Sequence, residues 1–193
     1  MQINGDNKTA MRSMREKGIT LIELMVVLSI LTILTVALGY SYQGWMGKYR
    51  VESQTKKLHA DILNARSRSM TRSKSHFLRF PNATSYTLYD DDSNGTAKVP
   101  DGDGVLQVGT GVTADTQLPT FPKQLEYAVQ IGGPAVPAFT LNVQGLVSPE
   151  RTICAFTQFD PDYDCITLSQ TRVIMGKISN QGGACDSANC REK

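Results

Sequence analysis

The feature that most constrains this chain is an apolar run of 21 residues, from Ile19 to Gly39, that contains a single carboxylate, Glu23. At the rise of an α-helix such a run spans roughly 31 Å, which is about the thickness of the hydrocarbon layer of a bilayer. We therefore expect residues 19–39 to form a transmembrane half-helix. Basic residues precede the run, which predicts a cytoplasmic N-terminus and places residues 40–193 on the far side of the membrane.

Glu23 separates this run from an ordinary signal anchor or a buried core helix, since neither needs an acid there. A carboxylate inside hydrocarbon is costly unless it is neutralised or paired, and it marks a functional site by default. The run itself contains no cation. If the chain is cut after Gly18, however, the new amine of Ile19 lies one helical turn from Glu23. That amine can pair with the carboxylate of the same chain or of a neighbouring copy.

The stretch KGITLIEL, residues 17–24, resembles the processing site of type IV pilins and type II secretion pseudopilins. In both, a basic leader ends in glycine, and glutamate is the fifth residue after it. The resemblance implies that residues 1–18 are a leader removed by a prepilin peptidase, and that Ile19 becomes an N-methylated N-terminus. It also implies that Glu23 is an assembly contact. One departure is Ile19 itself, because phenylalanine or methionine is commoner at that position.

Residues 40–75 are predicted to continue as an amphipathic, basic half-helix. Val51, Leu58 and Ala65 recur every seven residues and form one apolar stripe, with the charged residues elsewhere. Residues 48–79 contain nine basic and two acidic side chains, whereas residues 80–193 contain seven basic and thirteen acidic ones. The sequence therefore predicts a basic stem and an acidic head.

From residue 75 onward, residues alternate with a period of two and turn residues are frequent, which predicts a β-rich globular head over residues 76–193. A long N-terminal helix packed on an antiparallel sheet is an α+β fold. The segments SRSMTRSKSHFLRF, FTLNVQGLVSP and ITLSQTRVIMGKISNQGG resemble the GspH/FimT family of minor pilins and pseudopilins, which implies a pilin fold. The predicted strands are residues 76–80, 85–90, 104–108, 125–131, 138–143, 152–156, 165–169 and 172–178.

All four cysteines, Cys154, Cys165, Cys185 and Cys190, lie on the predicted extracytoplasmic side, where disulfide bonds are expected. Four cysteines allow three pairings. Proximity along the chain favours Cys154 with Cys165 and Cys185 with Cys190. A zinc site is the alternative, but the two histidines lie far away along the sequence.

The loop YDDDSNGTAKVPD fits the calcium-loop pattern D-x-D-x-N-G-x5-D. The candidate ligands are Asp90, Asp92, Asn94 and Asp101. Against calcium, the ninth loop position is Lys98, and Asp/Asn/Gly loops also form tight turns without any ion. We favour the ion-free turn, and the sequence predicts no other cofactor.

The basic stem has two interpretations. Arg66, Arg68, Arg72 and Lys74 have the charge to contact nucleic-acid phosphates, as in DNA-binding members of the resembled family. Alternatively, they pack against anionic headgroups and acidic neighbouring heads. We favour packing, because no aromatic ladder is interleaved with these charges and the head is acidic.

The sequence contains no catalytic constellation, so we expect no enzyme. The resemblance implies a minor pilin or pseudopilin that primes or caps a filament. Its partners would be prepilin peptidase, other pilins or pseudopilins, an inner-membrane assembly platform and the membrane. The expected location is the inner membrane, crossed once with the head in the periplasm, and then an extracellular or periplasmic filament. Two alternatives stay open: a DNA-binding minor pilin of a competence pilus, and a subunit of a type II secretion pseudopilus.

Overall fold

The computed structural model describes residues 18–99, 102–133 and 138–193, apart from the side chains of residues 37, 38, 40 and 41. Residues 1–17, which include nearly all of the predicted leader, lie outside the described residues. Helix α1 (Leu21–Arg72) ends close to the predicted boundary. The chain divides into two compact units after Tyr42. The described part of the first unit, residues 18–42, contains the start of α1, and the second unit contains the rest of α1 and all the strands described below.

A first antiparallel sheet of six strands begins directly after α1. Its strands are β1 (His76–Asn82), β2 (Ser85–Asp90), β3 (Thr116–Gln117), β4 (Lys123–Gln124), β6 (Ala138–Leu141) and β7 (Val147–Ser148). The order is β3-β2-β1-β6-β7, and β4 also pairs with β2. Strand β1 is central, and His76 faces Asp90 on one side and Leu141 on the other.

The second antiparallel sheet has five strands and contains the C-terminal end of the chain. Its strands are β5 (Gln130–Gly132), β8 (Arg151–Cys154), β9 (Cys165–Leu168), β10 (Val173–Ile178) and β11 (Cys190–Glu192). The order is β11-β10-β9-β8-β5. Every pair of neighbouring strands is antiparallel, which confirms the predicted α+β fold with an antiparallel head.

The predicted apolar stripe of α1 supplies the helical side of the core. Val51, Leu58, Ile62 and Ala65 are at most 2% exposed, and they belong to one cluster with buried residues of both sheets. Because these residues follow the helical period, burying them turns the charged side chains of the stem outward. The strand residues of the cluster include Leu78, Phe80, Tyr86, Leu88, Phe139, Leu141, Val147, Ile153, Ile166 and Leu168.

The prediction of a strand over residues 104–108 was wrong. The N–H of Gln107 donates to a carboxylate oxygen of Asp115 at 2.8 Å, and that of Val105 donates to Asp103 at 2.9 Å. These donors therefore bond to side chains and not to a neighbouring strand. Of the strand predicted over residues 125–131, only the end forms a strand, β5 (Gln130–Gly132). The short strands β3, β4, β7 and β11 were not predicted.

Candidate processing and assembly site

The predicted processing site, Gly18–Ile19, directly precedes the first turn of α1. Ile19 is 75% exposed. Thr20 caps the helix, because the N–H of Glu23 donates to its Oγ1 at 3.3 Å and the N–H of Leu24 to its carbonyl oxygen at 3.2 Å. Thr20 and Glu23 thus occupy the first and last positions of the T-x-x-E capping pattern. The sequence contains this signal, although we did not predict the cap from it.

Glu23 also lies where a helix favours a negative charge. The unpaired N–H groups of the first turn carry partial positive charge, so a carboxylate in that turn is stabilised. Glu23 is exposed, and it is the acidic residue of the first turn of α1. The geometry leaves its carboxylate open to a cation from another molecule.

The surface of α1 from residue 21 to residue 36 is apolar and unburied. Its apolar side chains are between 48% and 76% exposed. The hydroxyl groups of this stretch bond to their own helix: Ser29 donates to the carbonyl of Met25 at 2.8 Å and Thr32 to that of Leu28 at 2.6 Å. Since these polar groups are satisfied within the helix, they do not require water. Glu23 is the one charged residue of this stretch.

Among the residues described, no helix was found to combine the length and the apolar character needed to cross a membrane. The crossing predicted for residues 19–39 stays a prediction.

The predicted disulfide bonds form, but both predicted pairings were wrong. Cys154 pairs with Cys185, and Cys165 pairs with Cys190, with Cα–Cα distances of 5.8 and 5.9 Å. Cys154 and Cys165 are opposite each other on β8 and β9, yet each bonds to the C-terminal segment. The reason is that β11 pairs with β10 and carries Cys190 back to the sheet. Proximity along the sequence could not predict that β11 pairs with β10.

The candidate calcium ligands have other partners within the protein. Lys98, the residue at the ninth loop position, donates from Nζ to Asp92 Oδ1 at 2.8 Å. The Oδ1 atom of Asn94 accepts the N–H of Ala97 at 2.8 Å, as in an ordinary turn. Asp101 lies outside the described residues, and within them no three His, Cys, Asp or Glu side chains are grouped as a metal site. The ion-free turn stays our interpretation.

Asp90, the first candidate ligand, faces the end of the helix. His76 Nε2 lies 2.9 Å from its Oδ1, and Arg72 lies 3.6 Å from its Oδ2. Burial alone would raise the pKa of Asp90, but the hydrogen bond and charge of His76, together with Arg72 and Lys74, lower that pKa below its usual value. Asp90 therefore joins β2 to the end of α1.

Two carboxylates that the sequence analysis did not single out organise the same loop. Asp91 is 1% exposed and accepts the N–H groups of Asp103 and Gly104 at 3.2 and 3.0 Å. Asp115 is 4% exposed and accepts the N–H of Ser93 at 3.1 Å. Burial raises the pKa of Asp91 to about 6 against the opposing effect of these hydrogen bonds, and it also raises the pKa of Asp115.

Of the basic residues considered for nucleic-acid binding, Arg66, Arg68 and Arg72 lie in the last turns of α1, and Lys74 follows the helix. Arg66 donates to the carbonyl of Thr171 at 2.8 Å and so contacts the head. Arg72 is committed to Asp90, as described above. Arg68 and Lys74 are half-buried. Two of the four cations thus contribute to the fold, and the nucleic-acid interpretation stays an untested alternative.

A family profile described as the prokaryotic N-terminal methylation motif matches residues 13–39. No curated protein sequence matches the chain. A solved structure to which the chain is similar is that of the type IV minor pilin FimU of Pseudomonas aeruginosa, with a TM-score of 0.48 and 17% sequence identity. That similarity covers 74% of this chain and 99% of the other.

The motif match confirms the resemblance to type IV pilin-like proteins that the N-terminal sequence predicts. It indicates a membrane-anchored N-terminus, and it implies processing by a prepilin peptidase and assembly with other pilins in general. The narrower GspH/FimT assignment stays a prediction. So do the individual roles of Gly18, Ile19 and Glu23.

Proposed function

We propose that this chain, which carries the methylation motif of type IV pilin-like proteins, is a minor pilin or pseudopilin that primes or caps a thin filament. The observation that carries the proposal is the first half of α1: its apolar side chains are about half exposed or more, and one carboxylate stands at its start. An exposed apolar surface that runs along a whole half-helix normally marks contact with a membrane or with other proteins. Its role is structural and not enzymatic.

In this proposal residues 1–18 are removed as a leader, and Ile19 becomes the methylated N-terminus. The apolar half-helix waits in the inner membrane with the head in the periplasm. An assembly platform then moves it into a filament, where the same apolar surface packs against other subunits. Satisfied hydroxyl groups such as those of Ser29 and Thr32 suit both environments, because neither leaves a polar group without a partner.

Glu23 sets the register of the docked subunit in this proposal. Its carboxylate pairs with the terminal amine of an adjacent subunit. Such a contact is heterologous: one subunit offers the amine, and the next offers the carboxylate, so it propagates along a fibre and does not close into a ring. Leaving Glu23 in hydrocarbon without that amine is costly, and this favours the assembled state.

The first experiment is mass spectrometry of the chain recovered from cells. We expect an N-terminus at Ile19 that carries one added methyl group. A native chain that still begins at Met1, or one that begins after Gly39 without the apolar segment, would contradict the proposal.

The second experiment separates an assembly role of Glu23 from a capping role. Glu23→Gln keeps the shape of the side chain and removes the charge, and Thr20→Ala removes the observed cap and keeps the charge. We expect Glu23→Gln to insert in the membrane but to be depleted from sheared filaments, whereas Thr20→Ala enters them. If the two variants enter filaments equally well, the proposed role of the Glu23 charge is wrong.

A further inference from the structure

A short stretch of α1 after the apolar run exposes aromatic and basic side chains together. Trp45 is 62% exposed and Tyr49 is 59% exposed, and their rings are stacked with centroids 6.2 Å apart. Lys48 and Arg50, on the same two turns, are also exposed. We call Trp45, Lys48, Tyr49 and Arg50 the aromatic collar. The sequence contains no acidic residue between Glu23 and Glu52, so the collar is basic.

The two rings of the collar lie on the side of the helix away from the core of their own unit, whereas Arg50 reaches Glu126 of the head. Gly47, on the opposite side of the helix, is buried, and Phe159 packs so closely that a Cβ atom there would meet its ring. The core stripe that begins at Val51 follows the same side as Gly47. The two large aromatic rings therefore stack on each other in solvent and do not fill the core.

Nearby acids offset only part of the positive charge of the collar. Asp160 and Asp162, the acids whose charges Lys48 influences, have their own partners in Lys177 and Lys193. Arg50 pairs with Glu126 at 2.7 Å, but this pair is half exposed on both sides. Exposed pairs of this kind are weak, because water and salt screen the attraction between the two charges.

We propose that the aromatic collar binds the headgroup layer of an anionic membrane surface and fixes how deeply the anchor sits. The inference rests on the proposed membrane insertion of residues 19–39. Tryptophan and tyrosine concentrate at membrane interfaces, where an apolar ring and a polar N–H or O–H group are both accommodated. Lysine and arginine beside them are attracted by anionic lipids.

The spacing along the sequence fits this depth. Trp45 lies six positions after Gly39 in the sequence, which amounts to about 9 Å of helical rise. The interfacial layer on each side of a bilayer is about 5–8 Å thick. Helical side chains lean toward the N-terminus, so the indole of Trp45 reaches back from its Cα toward the bilayer. Tyr49, one turn later, covers the indole from the water side.

Trp45 is the only tryptophan of the chain, so its fluorescence reports on the collar alone. The experiment uses the full chain reconstituted into vesicles of phosphatidylcholine and phosphatidylglycerol. Flotation of the vesicles first tests whether the chain is anchored. Emission is then measured with spin-labelled lipids, whose label lies either near the headgroup or at the end of the acyl chain, and with acrylamide in the water. We expect strong quenching by the shallow label, little by the deep label, and reduced quenching by acrylamide compared with detergent.

Two variants make the result specific. The double variant Trp45→Phe with Val112→Trp moves the fluorophore to a site of the same 62% exposure in the loop after β2. We expect little quenching by either lipid label there. In the wild type, the shallow label should quench Trp45 more strongly in vesicles with phosphatidylglycerol than in vesicles without it. The double variant Lys48→Gln with Arg50→Gln should remove this difference.

Each outcome decides between the two proposals. A floating chain whose Trp45 is open to acrylamide and is not quenched by the shallow label contradicts the collar and leaves the anchored pilin intact. Equal shallow quenching at residue 112 also contradicts it, because the whole unit would then lie on the bilayer. A chain that does not float contradicts the membrane insertion itself, and the collar with it.

Discussion

The two halves of α1 contain similar apolar residues, but the first half exposes them and the second half buries a stripe of them. In the first unit, residues 21–36 leave every apolar side chain at least 48% exposed. In the second unit, Val51, Leu58, Ile62 and Ala65 are at most 2% exposed. Helix formation therefore does not by itself decide burial. The second half is buried because two sheets from the same chain cover it, and the first half has no such cover among the described residues.

This contrast tells us where the free energy of each half comes from. Burying a large apolar side chain contributes about 1.5–3 kcal/mol, so the second half of α1 is stabilised within one molecule. The exposed apolar side chains of the first half would gain a comparable amount from contact with a membrane or with other molecules. The filament subunit proposed above needs this division, because a half-helix already covered by its own chain would have no apolar surface left for a neighbour.

Loss of a disulfide should produce the largest difference between the two units. Replacing Cys165 and Cys190 by serine should lower the free energy of unfolding of the second unit by about 2–5 kcal/mol. The bonds observed close loops of 25 and 31 residues. The pairings predicted from the sequence would close much shorter ones, and longer loops constrain the unfolded chain more. Thermal unfolding measures the loss.

Non-reducing peptide mapping tests the pairing itself. We expect peptides that join Cys154 to Cys185 and Cys165 to Cys190. The first unit contains no cysteine, so a reducing agent should leave its insertion into vesicles unchanged. A peptide that joins Cys154 to Cys165 would contradict the topology of the second sheet.

A matched pair of isoleucines tests the contrast most directly. Ile62 is fully buried, and Ile30 is 52% exposed. Ile62→Ala should cost about 2–5 kcal/mol of unfolding free energy, because it leaves a cavity. Ile30→Ala should change it by less than about 0.5 kcal/mol, since that position has no cover to lose. Chemical denaturation of the full chain measures both. Equal losses would show that the first half of α1 packs on its own chain.

Much of this fold could be predicted from local sequence patterns. The stripe of Val51, Leu58 and Ala65 has the helical period, and the alternating residues of β1, β2 and β9 have the strand period, so each element indicates its own type. The strand predicted over residues 104–108 failed because its N–H donors bond to carboxylates elsewhere in the loop, such as Asp115. Alternation alone cannot reveal a competing acceptor that comes later in the chain.

The motif region around the candidate site could be predicted because its signal is contiguous, whereas the roles of its individual residues stay predictions. Gly18, Ile19 and Glu23 lie within six residues, and the methylation motif matches that region. The disulfide pairing was not predictable, because it depends on β11 returning to β10. The buried carboxylate of Asp91 was also missed, since nothing in the local sequence distinguishes it from its half-buried neighbours Asp90 and Asp92, and its partner Gly104 comes later in the chain.

A change of pH should act on the second unit, where Asp91 is buried with a pKa of about 6. Its value in the unfolded chain is about 3.9. The folded state therefore binds the proton more tightly, so the contribution of Asp91 to stability is highest below pH 4 and falls as the pH rises to about 6. Its size is at most about 3 kcal/mol, from the difference between the two pKa values.

The test compares the pH dependence of unfolding in the wild type and in Asp91→Asn. Other carboxylates also have shifted pKa values: the pKa of Asp115 is raised, and that of Asp90 is lowered. Only the difference between the two proteins is therefore diagnostic. The wild type should lose stability relative to Asp91→Asn between about pH 4 and pH 6. Parallel curves would mean that the buried position of Asp91 does not perturb its titration.

The smallest expected effect locates the point at which α1 changes from exposed to buried. A Cβ atom at Gly47 would collide with the ring of Phe159, whereas one at Gly44 would meet nothing within 4 Å. Gly47→Ala should therefore cost about 1–2 kcal/mol, because the ring must move. Gly44→Ala should stabilise the helix by about 0.5–1 kcal/mol, because alanine is the better helix former. Both glycines lie in the second unit, one helical turn apart, so unfolding of the full chain compares them under identical conditions. If Gly47→Ala stabilises the protein as much as Gly44→Ala does, Phe159 does not pack against α1, and the covered part of the helix begins only at Val51.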